Sequence, residues 1–429
     1  MKNAKKYAPL WMPAAALLCV LALFLASPET PAPALESAAA TPFPTPRGLR
    51  VAVASDTHFD PDHTDKQSDL GEAVYNMEIA DAMLHDVKAQ GAKLLLLTGD
   101  LCNSGKRPKH EALVEKLRAA EAEGLTVYVL PGNHDLAPLK QSEFAALYAD
   151  FGFAEAYSRD SASLSYCVLR DDVMLLMMDT AGYGVSAIDL PGAPKRADSN
   201  AFFTEETLHW AEELLQTARE KDIPVLAAGH YNLLPEISRT ENTGYYVENG
   251  VRFASLLREY GVKLTLSGHM HLRAVYEEDG LTEQLTECLI AYPTGYTVLD
   301  LTPETIRVLP RRVDVERWAA ETGQTDPVLR GFDEWQEQGL EAYCRETVEA
   351  MTKKNPLREG EKESATRFFN AVMRAYWDGS LAERRETLRQ LEGYDSFFRA
   401  AEGYSYGWWL RDLIETASPK LAGFEIDFH

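Results

Sequence analysis

A strand-to-helix junction at residues 125–135 places the strongest constraint on the fold of this chain. The apolar run 125–130, LTVYVL, is typical of a buried strand, and a helical pattern begins near residue 142. The intervening sequence PGNHD, at 131–135, places polar side chains at the carboxyl end of that strand. Open α/β sheets bind their ligands at this end of the strands. Taken alone, PGNHD is equally compatible with a turn in which Asp caps the next helix.

The same alternation of short apolar runs and longer helical patterns occupies the first part of the chain. The predicted strands lie at 50–55, 93–97 and 125–130, and the predicted helices lie at 72–90, 109–123 and 142–150. Continuous apolar strands that alternate with helices indicate a largely parallel sheet covered on both faces.

The middle of the chain adds antiparallel strands. Runs 163–169 and 173–179, joined by Arg170-Asp171-Asp172, predict a hairpin. A helix is predicted at 205–220, and further strands are predicted at 224–228, 263–267, 288–291, 295–301 and 305–309. Two mixed sheets between helices accommodate this number of strands better than one open sheet does. We therefore predict an α/β fold with two mixed sheets.

After Pro310 the composition favours helices. Residues 310–429 are rich in Glu, Arg, Ala and Leu, with aromatic residues at helical spacing that we interpret as packing anchors. We predict a C-terminal α-helical region, which could cover a site, form a dimer or contact the cell envelope. The sequence indicates no oligomeric state.

The N-terminal segment predicts export. Lys2, Lys5 and Lys6 precede an apolar run from Ala8 to Ala26, which is typical of a signal peptide or a signal anchor over residues 1–27. A Pro/Ala-rich linker at 28–48 follows. We expect an extracytoplasmic protein, either secreted or anchored to the membrane by this segment.

Cysteine usage fits an exported protein that does not depend on disulfides. The cysteines after Cys19 are too widely spaced for a Cys-x-x-Cys metal pair, and they are Cys102, Cys167, Cys288 and Cys344. Buried free thiols are the favoured interpretation, although one or two bridges are also compatible with the sequence.

The charge balance limits the partners. With 66 acidic and 43 basic residues the chain has a net charge of −23, which disfavours nucleic acid or an anionic membrane surface as the main partner. A small phosphorylated substrate remains compatible, because bound cations reverse the field inside a site.

Five predicted strands end in Asp, Asn or His, and half of the ten histidines lie in these motifs. The motifs are SDTH at 55–58, TGD at 98–100, GNHD at 132–135, GH at 229–230 and GHMH at 268–271. We expect them to converge at one edge of one sheet. Oxygen and imidazole ligands together suit Mn, Fe, Zn or Co. Seven ligands drawn from these motifs would suffice for two ions that share a carboxylate.

This ordered set of motifs resembles the calcineurin-like metallophosphoesterase superfamily, from Val51 to Leu309. The resemblance implies a four-layer α-β-β-α sandwich, which we assign to residues 49–309. It also implies two divalent or trivalent metal ions drawn from Mn, Fe, Zn or Co. One ion would be held by Asp56, His58 and His271, the other by Asn133, His230 and His269, with Asp100 bridging them.

The activity implied by the resemblance is hydrolysis of a phosphate ester by a metal-bridging hydroxide that attacks phosphorus in line. His134 would face the substrate and either stabilise the transition state or protonate the leaving oxygen. Asn103 stands where many relatives carry an acidic partner for this histidine. Asparagine can orient His134 but cannot offset its positive charge, so we expect a less elevated His134 pKa than a carboxylate partner would produce.

A less elevated His134 pKa favours a good leaving group or a strained phosphodiester. The form Gly99-Asp100-Leu101-x-Asn103 also resembles the cyclic-nucleotide-phosphodiesterase branch. The alternatives are a phosphomonoesterase of the same fold and a non-catalytic module that binds metal or a partner. An exonuclease of the superfamily is disfavoured by the acidity of the chain and by export.

Overall fold

The computed structural model describes residues 48–62, 74–136, 139–181, 201–234, 246–302 and 304–427. The predicted signal segment 1–27 and nearly all of the linker 28–48 lie outside these residues. Within them, no helix is both long enough and apolar enough to cross a membrane.

Thirteen strands are described. They are β1 (Leu49–Ala54), β2 (Leu94–Leu97), β3 (Thr126–Val129), β4 (Ser158–Arg159), β5 (Tyr166–Arg170), β6 (Val173–Met177), β7 (Val225–Ala228), β8 (Leu264–Ser267), β9 (Ala274–Glu278), β10 (Leu281–Leu285), β11 (Gly295–Leu301), β12 (Thr305–Arg312) and β13 (Phe424–Asp427).

Eleven α-helices are described. They are α1 (Asn76–Ala89), α2 (Arg107–Ala122), α3 (Gln141–Leu147), α4 (Glu205–Glu220), α5 (Gly250–Glu259), α6 (Val315–Glu321), α7 (Phe332–Thr352), α8 (Glu359–Trp377), α9 (Leu381–Gln390), α10 (Tyr394–Ala400) and α11 (Ser405–Thr416).

The strands form two mixed sheets. The first has the order β13-β12-β11-β1-β2-β3, and the second has the order β4-β5-β6-β7-β8-β10-β9. In the first sheet β1, β2 and β3 are parallel, and in the second β6, β7, β8 and β10 are parallel. The predicted α/β fold class is confirmed, as is the hairpin at Asp171-Asp172, where both residues have positive φ.

The central strands are buried on both faces. All four leucines of β2, Leu94–Leu97, are at most 1% exposed, and they share one apolar core with Ile79 of α1 and Leu117 of α2. Burying a leucine side chain stabilises the fold by about 1.5–3 kcal/mol. This core holds the carboxyl ends of β1, β2 and β3 in fixed positions.

One predicted strand is wrong. Residues 288–291 form a turn in which only Cys288 pairs with a neighbour, in an isolated bridge to Ser55. The run is apolar because it is buried, at 0–3% exposure, and not because it belongs to a ladder.

Two strands were missed in this region, β9 and β10. Their sequence AVYEEDGLTEQL is rich in polar residues, but Asp279-Gly280 between them has positive φ at both positions, which is a hairpin-turn signal.

The C-terminal region is helical from α6 to α11, as predicted, with one exception. After the helices, β13 returns to pair with β12 at the edge of the first sheet. Trp377 and Trp409 are each 4% exposed and pack in the apolar core of these helices, which confirms them as packing anchors. The four described cysteines are buried and free, as expected.

Candidate metal centre

The polar motifs converge, but they come from both sheets and not from one. Asp56, Asp100 and Asn133 follow β1, β2 and β3 of the first sheet, whereas His230 and His269 follow β7 and β8 of the second. The expectation of a single sheet edge was therefore wrong. The physical reason is that the carboxyl ends of the parallel strands of two facing sheets open on the same side of the sandwich.

The backbone at the centre is strained. Five of the predicted metal ligands have positive φ although none is glycine, and they are Asp56, His58, Asp100, His269 and His271. Non-glycine residues with positive φ are uncommon, and such strain concentrates at functional sites.

Two glycines allow the loops to approach closely. A Cβ at Gly132 would overlap the carboxylate and backbone nitrogen of Asp100, and a Cβ at Gly268 would overlap Ser55 and contact Asp56. Both positions therefore require glycine. Their presence lets the carboxylates lie directly against the neighbouring loops.

The first group of ligand atoms surrounds one position. The Nε2 atoms of His58 and His271 are 3.0 Å apart, and Nε2 of His271 is 3.2 Å from Asp56 Oδ1. Ligand atoms of these three residues and of Asp100 all lie within 4.8 Å of one another. Two nitrogens that bind the same ion, each at roughly 2.1 Å and with about a right angle between the two bonds, lie about 3 Å apart, which matches this spacing.

The second group shares Asp100 with the first. His230 Nε2 is 3.4 Å from Asp100 Oδ2 and 3.3 Å from Asn133 Oδ1. Ligand atoms of Asp100, His230 and His269 again lie within 4.8 Å of one another. All seven residues predicted as metal ligands are therefore brought together around two positions, with Asp100 between them.

The donor set fits metal ions. Asp56 Oδ1 is buried, and the described residues offer it no hydrogen-bond donor other than His271 Nε2. A buried carboxylate without sufficient donors is costly unless a cation compensates it. The Nδ1 of His230 faces the carbonyl oxygen of Thr98 at 2.9 Å and must donate to it, which leaves Nε2 as the metal-binding atom.

The charges agree with this geometry. Burial, together with the neighbouring His134, lowers the pKa of His58 to about 3, and burial beside His230 lowers the pKa of His269 to about 3. Both imidazoles are therefore neutral, the form that binds metal. Burial also lowers the pKa of His230, but the Asp100 carboxylate more than compensates and raises it to about 9. In the protein without metal, His230 is therefore a positively charged imidazolium next to Asp100, and its Nε2 must lose a proton when a metal ion binds.

His134 lies at the mouth of the centre. Its side chain is 31% exposed, and its Nε2 is 3.9 Å from Asp100 Oδ2. Its backbone N–H donates to Asp100 Oδ1 at 2.8 Å. Its Nδ1 faces the backbone carbonyl of Asn103 at 3.2 Å, so the contact expected from the Asn103 side chain is made by the main chain. The residue type at 103 therefore does not decide how His134 is oriented.

Asp135 is a brace between two loops. Its carboxylate accepts three backbone N–H groups, from Leu101 at 3.0 Å, Cys102 at 2.9 Å and Gly132 at 2.8 Å. These bonds join the loop after β2, which carries Asp100, to the loop after β3, which carries Asn133.

Three further residues support the metal ligands, and for two of them, Tyr231 and Asn232, the sequence leaves a structural role and a substrate contact equally open. Thr180 Oγ1 accepts the backbone N–H of His230 at 2.7 Å. Tyr231 is 1% exposed and stacks on His269 with 3.9 Å between ring centroids, and Asn232 Nδ2 donates to Ser267 Oγ at 2.8 Å. Tyr231 and Asn232 are therefore structural, and the sequence offers no signal for Thr180, which precedes its partner by 50 positions.

Two family models match the chain. A family model described as calcineurin-like phosphoesterase matches residues 49–273, which is just over half of the chain. A second model, described as the C-terminal domain of cyclic nucleotide phosphodiesterase, matches residues 314–415. A search of curated protein sequences returned no match.

Solved structures resemble the same part of the chain. A dimetal phosphatase from Danio rerio is 13% identical and aligns over 62% of this chain and 96% of its own, with a TM-score of 0.50. The purple acid phosphatase PPD1 from yellow lupin is 14% identical over 62% of this chain and 52% of its own, with a TM-score of 0.43. At this identity, the likeness to the Danio rerio protein supports the fold.

Proposed function

The chain belongs to the calcineurin-like phosphoesterase family and is a metal-dependent phosphoesterase, and from this premise we propose that it hydrolyses a cyclic phosphodiester of the cyclic-nucleotide class. The observation that carries this proposal is the match of residues 314–415 to the C-terminal domain of cyclic nucleotide phosphodiesterase. The complete set of seven predicted ligands supports catalysis, because a module that only binds a partner has no need to retain them.

Two metal ions, from the group Mn, Fe, Zn and Co, would neutralise charge on the phosphoryl oxygens and make water a stronger nucleophile. The protein's own groups hold the reacting parts in place. Asp100 lies between both ligand groups and accepts a hydrogen bond from the backbone N–H of His134. It thereby holds His134, the proposed proton donor, next to the metal centre. The Asn103 carbonyl oxygen accepts a hydrogen bond from His134 Nδ1–H, which leaves Nε2 to face the leaving oxygen.

A phosphodiester of good leaving group or high strain suits this arrangement. A backbone carbonyl carries no full negative charge, so it stabilises an imidazolium less than a carboxylate does. His134 is therefore a less effective general acid than a histidine paired with a carboxylate. Ring strain in a cyclic diester lowers the demand for that proton.

We also propose export, because the basic start and the apolar run at 8–26 are typical of a signal peptide or anchor. The substrate would then be a small phosphorylated compound outside the cytoplasm. Fusion of residues 1–48 to a reporter that is active only after export tests this part of the proposal, and retention of the fusion in the cytoplasm would contradict it.

The catalytic proposal is tested on full-length protein, stripped of metal and reloaded with Mn²⁺, Fe²⁺, Zn²⁺ or Co²⁺. We expect kcat/KM for 3′,5′- or 2′,3′-cyclic nucleotides to exceed that for p-nitrophenyl phosphate by at least about tenfold, a difference of about 1.4 kcal/mol in barrier. Asp100→Ala and Asn133→Ala should abolish hydrolysis, whereas Asp150→Ala, on an exposed surface pair with Arg118, should not.

The alternatives give different results in the same assay. Faster hydrolysis of the phosphomonoester would contradict the cyclic-diester proposal and identify a phosphomonoesterase. Failure to hydrolyse any ester, together with fewer than about one ion per chain where two are expected, would identify a non-catalytic module.

A further inference from the structure

Successive residues of the loop that carries His269 and His271 face opposite sides. Met270 and Leu272 are 4% and 3% exposed and belong to one apolar core with Phe369 and Tyr376 of α8. His269 and His271, which alternate with these two residues along the chain, face the metal centre instead. The loop is therefore packed on the C-terminal helices on one side and supplies ligands on the other.

Directly after this loop, Arg273 forms a buried ion pair with Glu287. The two residues are 1% and 0% exposed. Arg273 Nε donates to Glu287 Oε2 at 3.3 Å, and Nη2 donates to Oε1. Nη1 is buried without a hydrogen-bond partner among the described residues. Burying such a pair is costly, and apolar residues of similar volume are often more stabilising. The pair therefore calls for an explanation other than stability.

The residues after Glu287 contact the loop after β1, which carries Asp56. Cys288 pairs with Ser55 in an isolated bridge, and its thiol donates to the carbonyl oxygen of Asp56 at 3.2 Å. Leu289 N–H donates to Ser55 O at 3.1 Å. The Arg273–Glu287 pair thus connects the loop of His271 to the loop of Asp56. The ligand atoms of these two residues, His271 Nε2 and Asp56 Oδ1, lie 3.2 Å apart.

The C-terminal helices hold the same arginine by its main chain. Tyr376, in α8, is buried, and its hydroxyl donates to the carbonyl oxygen of Arg273. A Cβ at position 295 would overlap the Glu287 carboxylate, so Gly295 leaves room for the other member of the pair. Arg273 is therefore fixed at its side chain by Glu287 and at its backbone by the C-terminal region.

We propose that Arg273, held by Glu287 and Tyr376, is a positioning residue that sets the spacing of Asp56 and His271, so that the C-terminal helical region forms part of the metal centre. The inference rests on the metal centre of the proposed function and not on the identity of the substrate. Groups that orient metal ligands typically change metal affinity by about 10–100-fold when they are removed.

The test is Co²⁺ binding to the full chain after metal removal, followed by visible absorption and by elemental analysis. Arg273→Met should bind one Co²⁺ with wild-type affinity and the other at least about tenfold more weakly. Adding Asn133→Ala to Arg273→Met should remove the remaining tight ion. Tyr376→Phe, which keeps the packing of the ring, should weaken the same ion in the same direction but by less.

Arg50→Met is the matched control. Arg50 forms a bidentate pair with Asp300 at 2.5 and 2.9 Å, at the opposite end of β1 from Asp56. This variant should bind two Co²⁺ ions with wild-type affinity and an unchanged spectrum. If Arg273→Met does not fold, Tyr376→Phe decides the test.

Wild-type Co²⁺ binding in both Arg273→Met and Tyr376→Phe would overturn the inference. Loss of the same ion in Arg50→Met would overturn it too, because the effect would then reflect general destabilisation. Wild-type protein that binds two Co²⁺ ions but hydrolyses no cyclic nucleotide would overturn the proposed substrate class and leave this inference intact.

Discussion

The Asp135 carboxylate accepts the backbone N–H of Cys102 at 2.9 Å, and it thereby joins two loops of the metal centre that are more than 30 positions apart in sequence. Its other oxygen accepts the N–H groups of Leu101 and Gly132. The three donors are buried together with the carboxylate, so water cannot replace it as their hydrogen-bond acceptor.

Asp135→Ala should therefore lower the free energy of unfolding by about 3 kcal/mol or more, because each buried N–H left without a partner costs about 1–3 kcal/mol. Chemical denaturation measures the change, and metal content should fall in the same variant. Asp150→Ala, in an exposed pair with Arg118, is the control and should be indistinguishable from wild type. Equal stability of the two variants would contradict the brace.

Gly132→Ala should weaken metal binding with little effect on distant parts of the fold. The new Cβ would overlap Asp100, so either the carboxylate or the loop after β3 must move. We expect loss of at least one of two ions, measured by elemental analysis of the purified full-length chain.

Gly360→Ala, in the first turn of α8, is the matched glycine control. Nothing lies within 4 Å of its added Cβ, and alanine favours a helix over glycine, so this variant should bind metal normally and be slightly more stable. A Gly132→Ala protein that retained both ions would show that the predicted overlap relaxes without cost.

His134→Ala should reveal its role through the leaving group. If Nε2 donates a proton to the leaving oxygen, the variant should lose about 10²–10⁴-fold in kcat with a ribose oxygen as leaving group. With p-nitrophenolate, which leaves without protonation, the loss should be less than about tenfold. Steady-state kinetics with a cyclic nucleotide and with an aryl phosphodiester provide the comparison. An equal loss on both substrates would show instead that His134 stabilises charge on phosphorus.

The ligands of the centre could be predicted from sequence because their signal is local. Each is an Asp, Asn or His placed within four residues of the end of a short apolar run, and such runs bounded by glycine and polar residues are typical of strands. Their assignment to two sheets could not be predicted in the same way. It depends on strand pairing between segments such as β1 and β11, whose residues are about 250 positions apart.

The contacts that support the ligands were harder to predict from the sequence than the ligands themselves. Thr98 and Asn103 act through backbone carbonyls, which every residue type possesses, so no pattern of side chains marks them. The turn Asp279-Gly280 was a readable hairpin signal that the polar sequence of β9 and β10 obscured. β13 is a four-residue edge strand after a long helical region, too short to show a periodicity of its own.

A pH dependence of stability should arise from Glu283, a buried carboxyl group of β10 that is not one of the predicted metal ligands. Its carboxylate accepts the N–H groups of Leu233 and Leu234 at 2.9 and 2.8 Å. Burial nevertheless dominates and raises the pKa of this carboxyl group from 4.5 to about 7. Between these two values the folded chain holds a proton that the unfolded chain has released.

Because the folded state binds more protons in that window, the contribution of Glu283 to stability should fall as pH rises from 4.5 to 7 and should change no further above it. The contribution amounts to about 3 kcal/mol across the window. Unfolding of wild type and of Glu283→Gln should be compared at pH 5 and pH 8, since glutamine does not titrate. We expect the stability difference between them to shift in favour of the variant at pH 8. Glu278→Gln, on the exposed end of β9, is the control, and parallel pH profiles for wild type and Glu283→Gln would contradict the assignment.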